Sequence, residues 1–425
     1  MALHTRILLG LVLGAIAGVG MNLAAGRELT DRLVAIADPI GRVWLNALIM
    51  VVIPLVLATI AVGVAGLGSL RRVGRIGALS LANFLFLTAV AGVIGLIAVN
   101  LVRPGDGLDP DVTKRLMTAY SGQSADAMGF AERALGVDFF VRIVPRNPIQ
   151  AMANGDLLSI IFFAIAIGVA LTMIAPEKAK PLVDVLESVG LVTIAIINLV
   201  MQLAPIGVFA LIFNVTARFG LDILASLAWY IGTVIGSLAI LQWGLYPLLI
   251  RFVARRSALE FFQKTRLVVL TAFSTSSSSA TLPTTLRVTR EELGVRPEVA
   301  AFVVPLGATM NMNGSAIFQG VTVVFLAQVF GIHLTWSAQV IVVVMAVITA
   351  IGAAGVPGGV IPLLMAVLGM VGVPMEAIAI VLGVDRLLDM CRTAMNVTGD
   401  MVTAVIVDRF EGPGPVGSGA PAPAA

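Results

Sequence analysis

The chain has 425 residues, 59% of them hydrophobic and only 12% charged, with a mean hydropathy of +1.02. Soluble globular proteins carry about 25% charge, so this composition excludes a water-soluble domain. The net charge of +3 is spread along the chain without a nucleic-acid patch, and the single cysteine, Cys391, excludes an intramolecular disulfide or a multi-cysteine metal site.

Apolar runs of about 20 residues, the length that spans a bilayer as a helix, recur from the N-terminus onward. "ILLGLVLGAIAGVGMNLAAG" from 7, "LIMVVIPLVLATIAVGVAGL" from 48 and "FLFLTAVAGVIGLIAVNLV" from 84 are examples. Outer-membrane barrels show short alternating strands instead, so the class is polytopic and helical. Spans are predicted at 6–26, 40–67, 76–102, 150–175, 183–216 and 222–252. The first exceeds the apolar core of a signal peptide, about 7–15 residues, and is read as retained despite the "LAAG" that follows. His4 and His333 fall near span ends and read as interfacial.

Basic residues gather at Arg71, Arg72 and Arg75, at Lys178 and Lys180, and at Arg251, Arg255, Arg256, Lys264 and Arg266. These are alternate loops, after the second, fourth and sixth spans. The positive-inside rule places them, with the N-terminus, in the cytoplasm. The long polar loop 103–147 is then outside.

Beyond residue 252 the pattern changes. "FSTSSSSATLPTT" (273–285) interrupts an apolar context, "NMNGS" breaks the stretch 299–330, and "ITAIGAAGVPGGVIP" (348–362) breaks the next. "VDRLLDMCRTAMNVTGDMVTAVIV" (384–407) follows, carrying Asp385, Arg386, Asp389, Arg392 and Asp400. The tail from 411, "EGPGPVGSGAPAPAA", is predicted to be disordered. One Gly/Pro break reads as a kink. Four in matching order read as two repeats of a re-entrant hairpin plus helix, because broken backbone at membrane depth must be buried in protein or line a cavity.

On a helix, Asp385, Arg386, Asp389, Arg392, Thr393, Asn396 and Asp400 share an arc of roughly 120°, opposite Leu, Met, Ala and Val. The charges therefore point into protein. A self-neutralising ladder between helices is one reading, but intramembrane ionisable groups mark function by default. Arg392 offers a planar fork for a carboxylate, and Asp389 one turn earlier can accept from an ammonium. The serines at 276–279 offer donors to a second carboxylate. Asp400, with the carbonyls of Asn311 and Asn396, suits a hard cation such as sodium. An acidic amino acid fits this set. A C4-dicarboxylate, which has no amine, leaves Asp389 unpaired at a cost and is the second reading. A hydrolase using the serine run lacks a histidine or lysine base in the neighbouring motifs, so an enzyme is not expected. A pure channel accommodates re-entrant loops but not the Asp/Arg pairing.

"STSSSSATLP", "PLGATMNMNGS", "AAGVPGG" and "DRLLDMCRTAMNVTGD" resemble the signature motifs of the dicarboxylate/amino acid:cation symporters. That family includes the excitatory amino acid transporters of animals and archaeal sodium–aspartate transporters. The likeness extends over about residues 5–410, with the motifs in the same order. It implies an all-α polytopic membrane protein with eight transmembrane helices and two re-entrant helical hairpins, built as inverted repeats with scaffold and transport domains. It also implies a homotrimer in the inner membrane, both termini cytoplasmic, working by an elevator movement. The implied division is 1–102 for helices 1–3, 103–149 for an extracellular loop and 150–252 for helices 4–6; 257–410 forms the transport core and 411–425 a disordered tail.

The resemblance implies a substrate pocket of Ser277, Ser278, Ser315, Val356, Gly358, Asp389, Arg392, Thr393 and Asn396. In it Ser278 meets the α-carboxylate, Asp389 the amine and Arg392 the side-chain carboxylate. One implied cation site uses Gly307, Asn311, Asn396 and Asp400, and a second uses Thr309, Ala350, Ile351 and Ala353. Three departures stand out. Asn313 replaces the family's acid at a third sodium site, where Thr88 is the candidate partner and Phe84 and Leu87 replace tyrosine and threonine. Ser276 stands where archaeal relatives have arginine, a charge Arg386 is expected to replace. Val360 stands near the second hairpin tip, where glycine is frequent. The implied activity is import of aspartate or glutamate coupled to sodium, with protons as the alternative ion and C4-dicarboxylates as the alternative substrate. No bound cofactor and no nucleic acid are expected, and membrane lipid is.

Overall fold

The computed structural model describes residues 3–24, 27–73, 75–106, 144–154, 157–220, 222–352 and 358–411. Every regular element among them is a helix. Most of the long loop, the tail from 412, and Ala353 and Val356 lie outside the described residues.

The N-terminal half contains α1 (Leu3–Ala24), α2 (Arg27–Ile49), α3 (Val52–Val73), α4 (Arg75–Val102), the short α5 (Pro148–Asn154), α6 (Leu157–Met173), α7 (Pro176–Gln202) and α8 (Ala204–Phe219). The predicted span 40–67 is thus divided between α2 and α3, just before Pro54. The predicted single span 183–216 is divided between α7 and α8. Pro205 in the first turn of α8 cannot supply the amide that continues a helix, so the chain bends at Leu203. Glycines 10, 14 and 18 form a stripe on α1 that brings its backbone against α8. A Cβ at Gly14 would lie 2.7 Å from the Phe209 carbonyl oxygen. Close packing of this kind stands in for hydrophobic drive between helices in lipid.

The C-terminal half begins with α9 (Asp222–Ile240), which continues through π-helical turns at Leu241–Leu245 and Leu249–Val253 around Tyr246–Leu248. Then come α10 (Ala258–Thr275), α11 (Ser278–Glu291), α12 (Pro297–Met310), α13 (Asn313–Val329), α14 (Trp336–Gly352), α15 (Ile361–Met370), a 3₁₀ turn (Met375–Ile378) and α16 (Ala379–Glu411). The predicted interruptions at 274–281 and 311–315 are real breaks in helix, and both have local causes. Ser276 takes the left-handed conformation (φ 51°) and closes α10, its N–H donating to the Ala272 carbonyl. Ser277 is extended, and its hydroxyl accepts from Ala280 N–H at 3.1 Å to cap α11. The serine run is thus a C-cap followed by an N-cap, which folds α10 and α11 back on each other. Asn311 and Met312 are non-helical and separate α12 from α13.

α16 runs through the middle of this half, packed against α4, α9, α10, α11, α12 and α13. Its far end is fastened by Asp408, whose carboxylate accepts from Arg296 Nε at 2.9 Å and Arg256 Nη2 at 3.1 Å. Among the described residues six stretches are long and apolar enough to cross a membrane: Thr5–Ala24, Glu28–Gly66, Arg75–Val102, Pro176–Gln202, Ile223–Val253 and Pro297–Val329.

Candidate functional site

α16 carries the ionised residues to the interior. Asp385, Asp389, Arg392 and Asp400 are all buried, Arg392 at 1% exposure. Arg392 donates from Nη1 to Asp385 Oδ1 and from Nη2 to Asp389 Oδ1, each at 2.8 Å. The Phe318 ring of α13 faces the guanidinium, its centroid 3.8 Å from Cζ. Arg392 Nε has no hydrogen-bond partner. The second oxygen of Asp389 accepts from Gly358 N–H at 3.3 Å and lies 3.7 Å from Arg386 Nη1. Two arginines and two aspartates therefore balance, which limits the cost of burying all four. Sequence spacing assigned Asp389 and Arg392 to opposite ends of a ligand; in the structure they hold each other.

The serine turn supplies a buried Ser278 at the start of α11 and a buried Ser276 hydroxyl without a partner. Ser315 and Asn396 meet across α13 and α16: Asn396 Nδ2 donates to Ser315 Oγ at 3.4 Å, while its Oδ1 accepts from Gly314 N–H at 2.7 Å. Thr393 is buried on the same helix. Phe318 and the Gly358 N–H are partners that periodicity does not reveal, because each depends on what lies opposite the charged face.

Asp400, about 12 Å from Arg392 along the axis of α16, has a different setting. Its Oδ1 accepts from Asn311 Nδ2 at 2.9 Å, and it has no ion-pair partner among the described residues. Asn311 Oδ1 is buried without a partner. Gly307 is required here, since a Cβ on it would lie 2.7 Å from Asp400 Cγ. An unneutralised carboxylate beside an orphaned amide oxygen is a donor set that a small hard cation or a proton would complete. Of the other residues assigned to cations, Thr309 is exposed and its hydroxyl donates to Leu306 O on its own helix at 2.9 Å. Ala350 is buried near the end of α14, and the Ile351 carbonyl faces Gly63 of α3. No hydrogen bond joins Thr309 to Ala350 or Ile351 among the described residues.

Asn313 and Thr88 do meet. Thr88 Oγ1 donates to Asn313 Oδ1 at 3.0 Å, and Asn313 Nδ2 donates to the Tyr246 hydroxyl at 3.1 Å. Tyr246 escaped the sequence reading; beside Pro247 in an apolar span it looks like an interfacial aromatic.

A polytopic helical protein with broken helices packed around a continuous helix that buries ionised groups has the make-up of a secondary transporter. The sequence profile of the sodium:dicarboxylate symporter family matches residues 3–410, and the chain belongs to that family. It is a transporter and not an enzyme. It is similar to the proton/sodium-glutamate symport protein of Bacillus subtilis (strain 168), with 35% identity over 96% of this chain and 93% of the relative. The proton/glutamate-aspartate symporter of Escherichia coli (strain K12) is also 35% identical, over 96% and 93%. The C4-dicarboxylate transport protein of Anaeromyxobacter sp. (strain K) is 32% identical, over 97% and 90%.

Proposed function

We propose that this protein imports acidic amino acids, aspartate or glutamate, across the inner membrane by symport with a cation, sodium in the first place. The observation that carries this is the pairing of Arg392 with Asp389 in the buried centre of α16. A ligand with carboxylates and an ammonium replaces both halves of that pair: one carboxylate takes the guanidinium fork, and the ammonium takes Asp389. Neither charge is then left buried alone, an outcome that costs several kcal/mol where it occurs. In this reading Ser277, Ser278, Ser315, Gly358, Thr393 and Asn396 complete the pocket, together with Val356, which lies outside the described residues.

Asp400 with Asn311, Gly307 and the Asn396 carbonyl is the proposed first cation site, and Thr309 with the 350–353 carbonyls the second. Cation and ligand share one helix, which gives a physical route to coupling. Eight transmembrane helices, re-entrant hairpins at 274–281 and 352–359, a transport core of 257–410 moving elevator-fashion against a scaffold, a homotrimer and cytoplasmic termini complete the reading; the family membership supports it. C4-dicarboxylates are the second substrate reading, supported by the likeness to the Anaeromyxobacter protein.

The test is uptake of labelled aspartate, glutamate and succinate into proteoliposomes under a sodium gradient, a proton gradient or neither. Amino acid uptake driven by either gradient is expected. Succinate uptake in preference to both amino acids favours the second reading, and gradient-independent flux of all three overturns symport.

A further inference from the structure

Tyr246 is fully buried, and its hydroxyl joins three helices. It accepts from Asn313 Nδ2 and donates to the Met395 carbonyl, both at 3.1 Å. The π turns on either side of it give α9 an irregular course at this point. Pro247 provides a cause: it lacks an N–H and its ring presses on the carbonyl four residues back, and a wide turn relieves both. The irregular stretch thus ends with Tyr246 reaching the break between α12 and α13.

What Tyr246 touches leads directly to Asp400. Gly399 presents a bare patch of α16, and a Cβ there would lie 2.5 Å from Asn313 Nδ2, 2.8 Å from the Tyr246 hydroxyl and 2.9 Å from Asn311 Nδ2. The three side chains therefore converge beside Asp400, and Asn311 goes on to donate to its carboxylate. Met395, held by the tyrosine, directly precedes Asn396, which secures α13 through Gly314. The non-helical pair Asn311–Met312 keeps only the bonds that end one helix and begin the next, Asn311 N–H to the Gly307 carbonyl and Ala316 N–H to the Met312 carbonyl, each at 2.9 Å, so side-chain ties help to fix its position.

We propose that Tyr246 is a positioning residue for the cation site, acting through Asn313 to hold Asn311 against Asp400. The proposal rests on the reading of Asp400 as the cation ligand. Loss of the hydroxyl frees Asn313 Nδ2, loosens the 311–313 break and weakens cation binding, while Arg392 and Asp389 keep their geometry.

The test uses full-length protein in proteoliposomes, with labelled aspartate uptake measured against sodium concentration and, separately, against the proton gradient. Tyr246→Phe is expected to raise the half-saturating concentration of the coupling cation about fivefold or more, with aspartate half-saturation at saturating cation within about twofold. Tyr230→Phe is the control. That tyrosine is equally buried on the same helix, bonded to Thr322 and stacked on Phe325, and its loss is expected to leave the cation curve in place. Asn313→Val removes the same bond from the other side and is expected to shift the curve in the same direction, which serves if Tyr246→Phe folds poorly. Superimposable cation curves for wild type and both site variants, or an equal shift in Tyr230→Phe, overturn the proposal. Absence of cation dependence in the wild type itself would overturn the underlying reading instead.

Discussion

Asp389 and Arg392, three residues apart on α16, are joined by a 2.8 Å charge-assisted hydrogen bond in the buried interior, with the Gly358 N–H on the second oxygen of Asp389. The group proposed to take the substrate amine is thus already tied to the proposed carboxylate anchor and to the segment that follows residues 353–357. In the proposed reading, substrate binding exchanges these contacts rather than filling an uncompensated site. The affinity then depends on how completely a ligand replaces both partners.

Asp389→Ser removes the proposed acceptor for the amine and leaves Asp385 as the carboxylate still bonded to Arg392. Truncating one member of a buried charge pair costs on the order of 3 kcal/mol, or about a hundredfold in affinity. Aspartate binding is expected to fall by about that factor and succinate binding by much less. Competition against labelled aspartate reads both, and equal losses would count against an ammonium at Asp389.

Arg386 lies 3.7 Å from Asp389, with its Nε buried and unpartnered. It balances the second aspartate electrostatically without a close bond. Arg386→Ala is expected to weaken aspartate binding by roughly 1–2 kcal/mol, about tenfold. Binding and transport both unchanged would make Arg386 a structural cation only.

Gly307→Ala drives a methyl group into Asp400, breaking its bond to Asn311. Overpacking of this kind costs about 1–3 kcal/mol. The cost is expected chiefly as a rise in the cation concentration needed for uptake, with substrate affinity at saturating cation little changed. A cation curve identical to wild type would remove Gly307 from the site.

Asn313 is neutral and both ends of its amide are engaged, by Thr88 and Tyr246. A neutral amide compensates a buried monovalent cation less than a carboxylate does. The number of charges moved per substrate is therefore expected to be lower than three sodium ions would give. Reversal-potential measurements of coupled flux read this number, and a full three-sodium stoichiometry would contradict it. Asn313→Asp is expected to increase the sodium dependence.

Much of this molecule is legible in its sequence. The spans at 6–26, 76–102 and 222–252 correspond closely to α1, α4 and α9, since a helix in lipid must be apolar over a fixed length. The break at 311–312 is marked by Asn and Gly within an apolar run, and the serine run by residues that cap helices. The division of 183–216 into α7 and α8 was missed because hydropathy alone continues smoothly through Leu203, although Pro205 carried the signal.

Sequence alone determined the membrane class, the interrupted helices and the common face of Asp385, Asp389, Arg392 and Asp400, because hydropathy and helical period are properties of neighbouring residues. Only the tertiary structure decided what those groups meet. The Tyr246 bonds to Asn313 and Met395 cross 67 and 149 residues of chain, and Phe318 reaches Arg392 from another helix. Which buried charge is compensated, as Arg392 is, and which has no ion-pair partner among the described residues, as Asp400 has none, depends on the packing of helices distant in sequence, because electrostatic compensation acts through space.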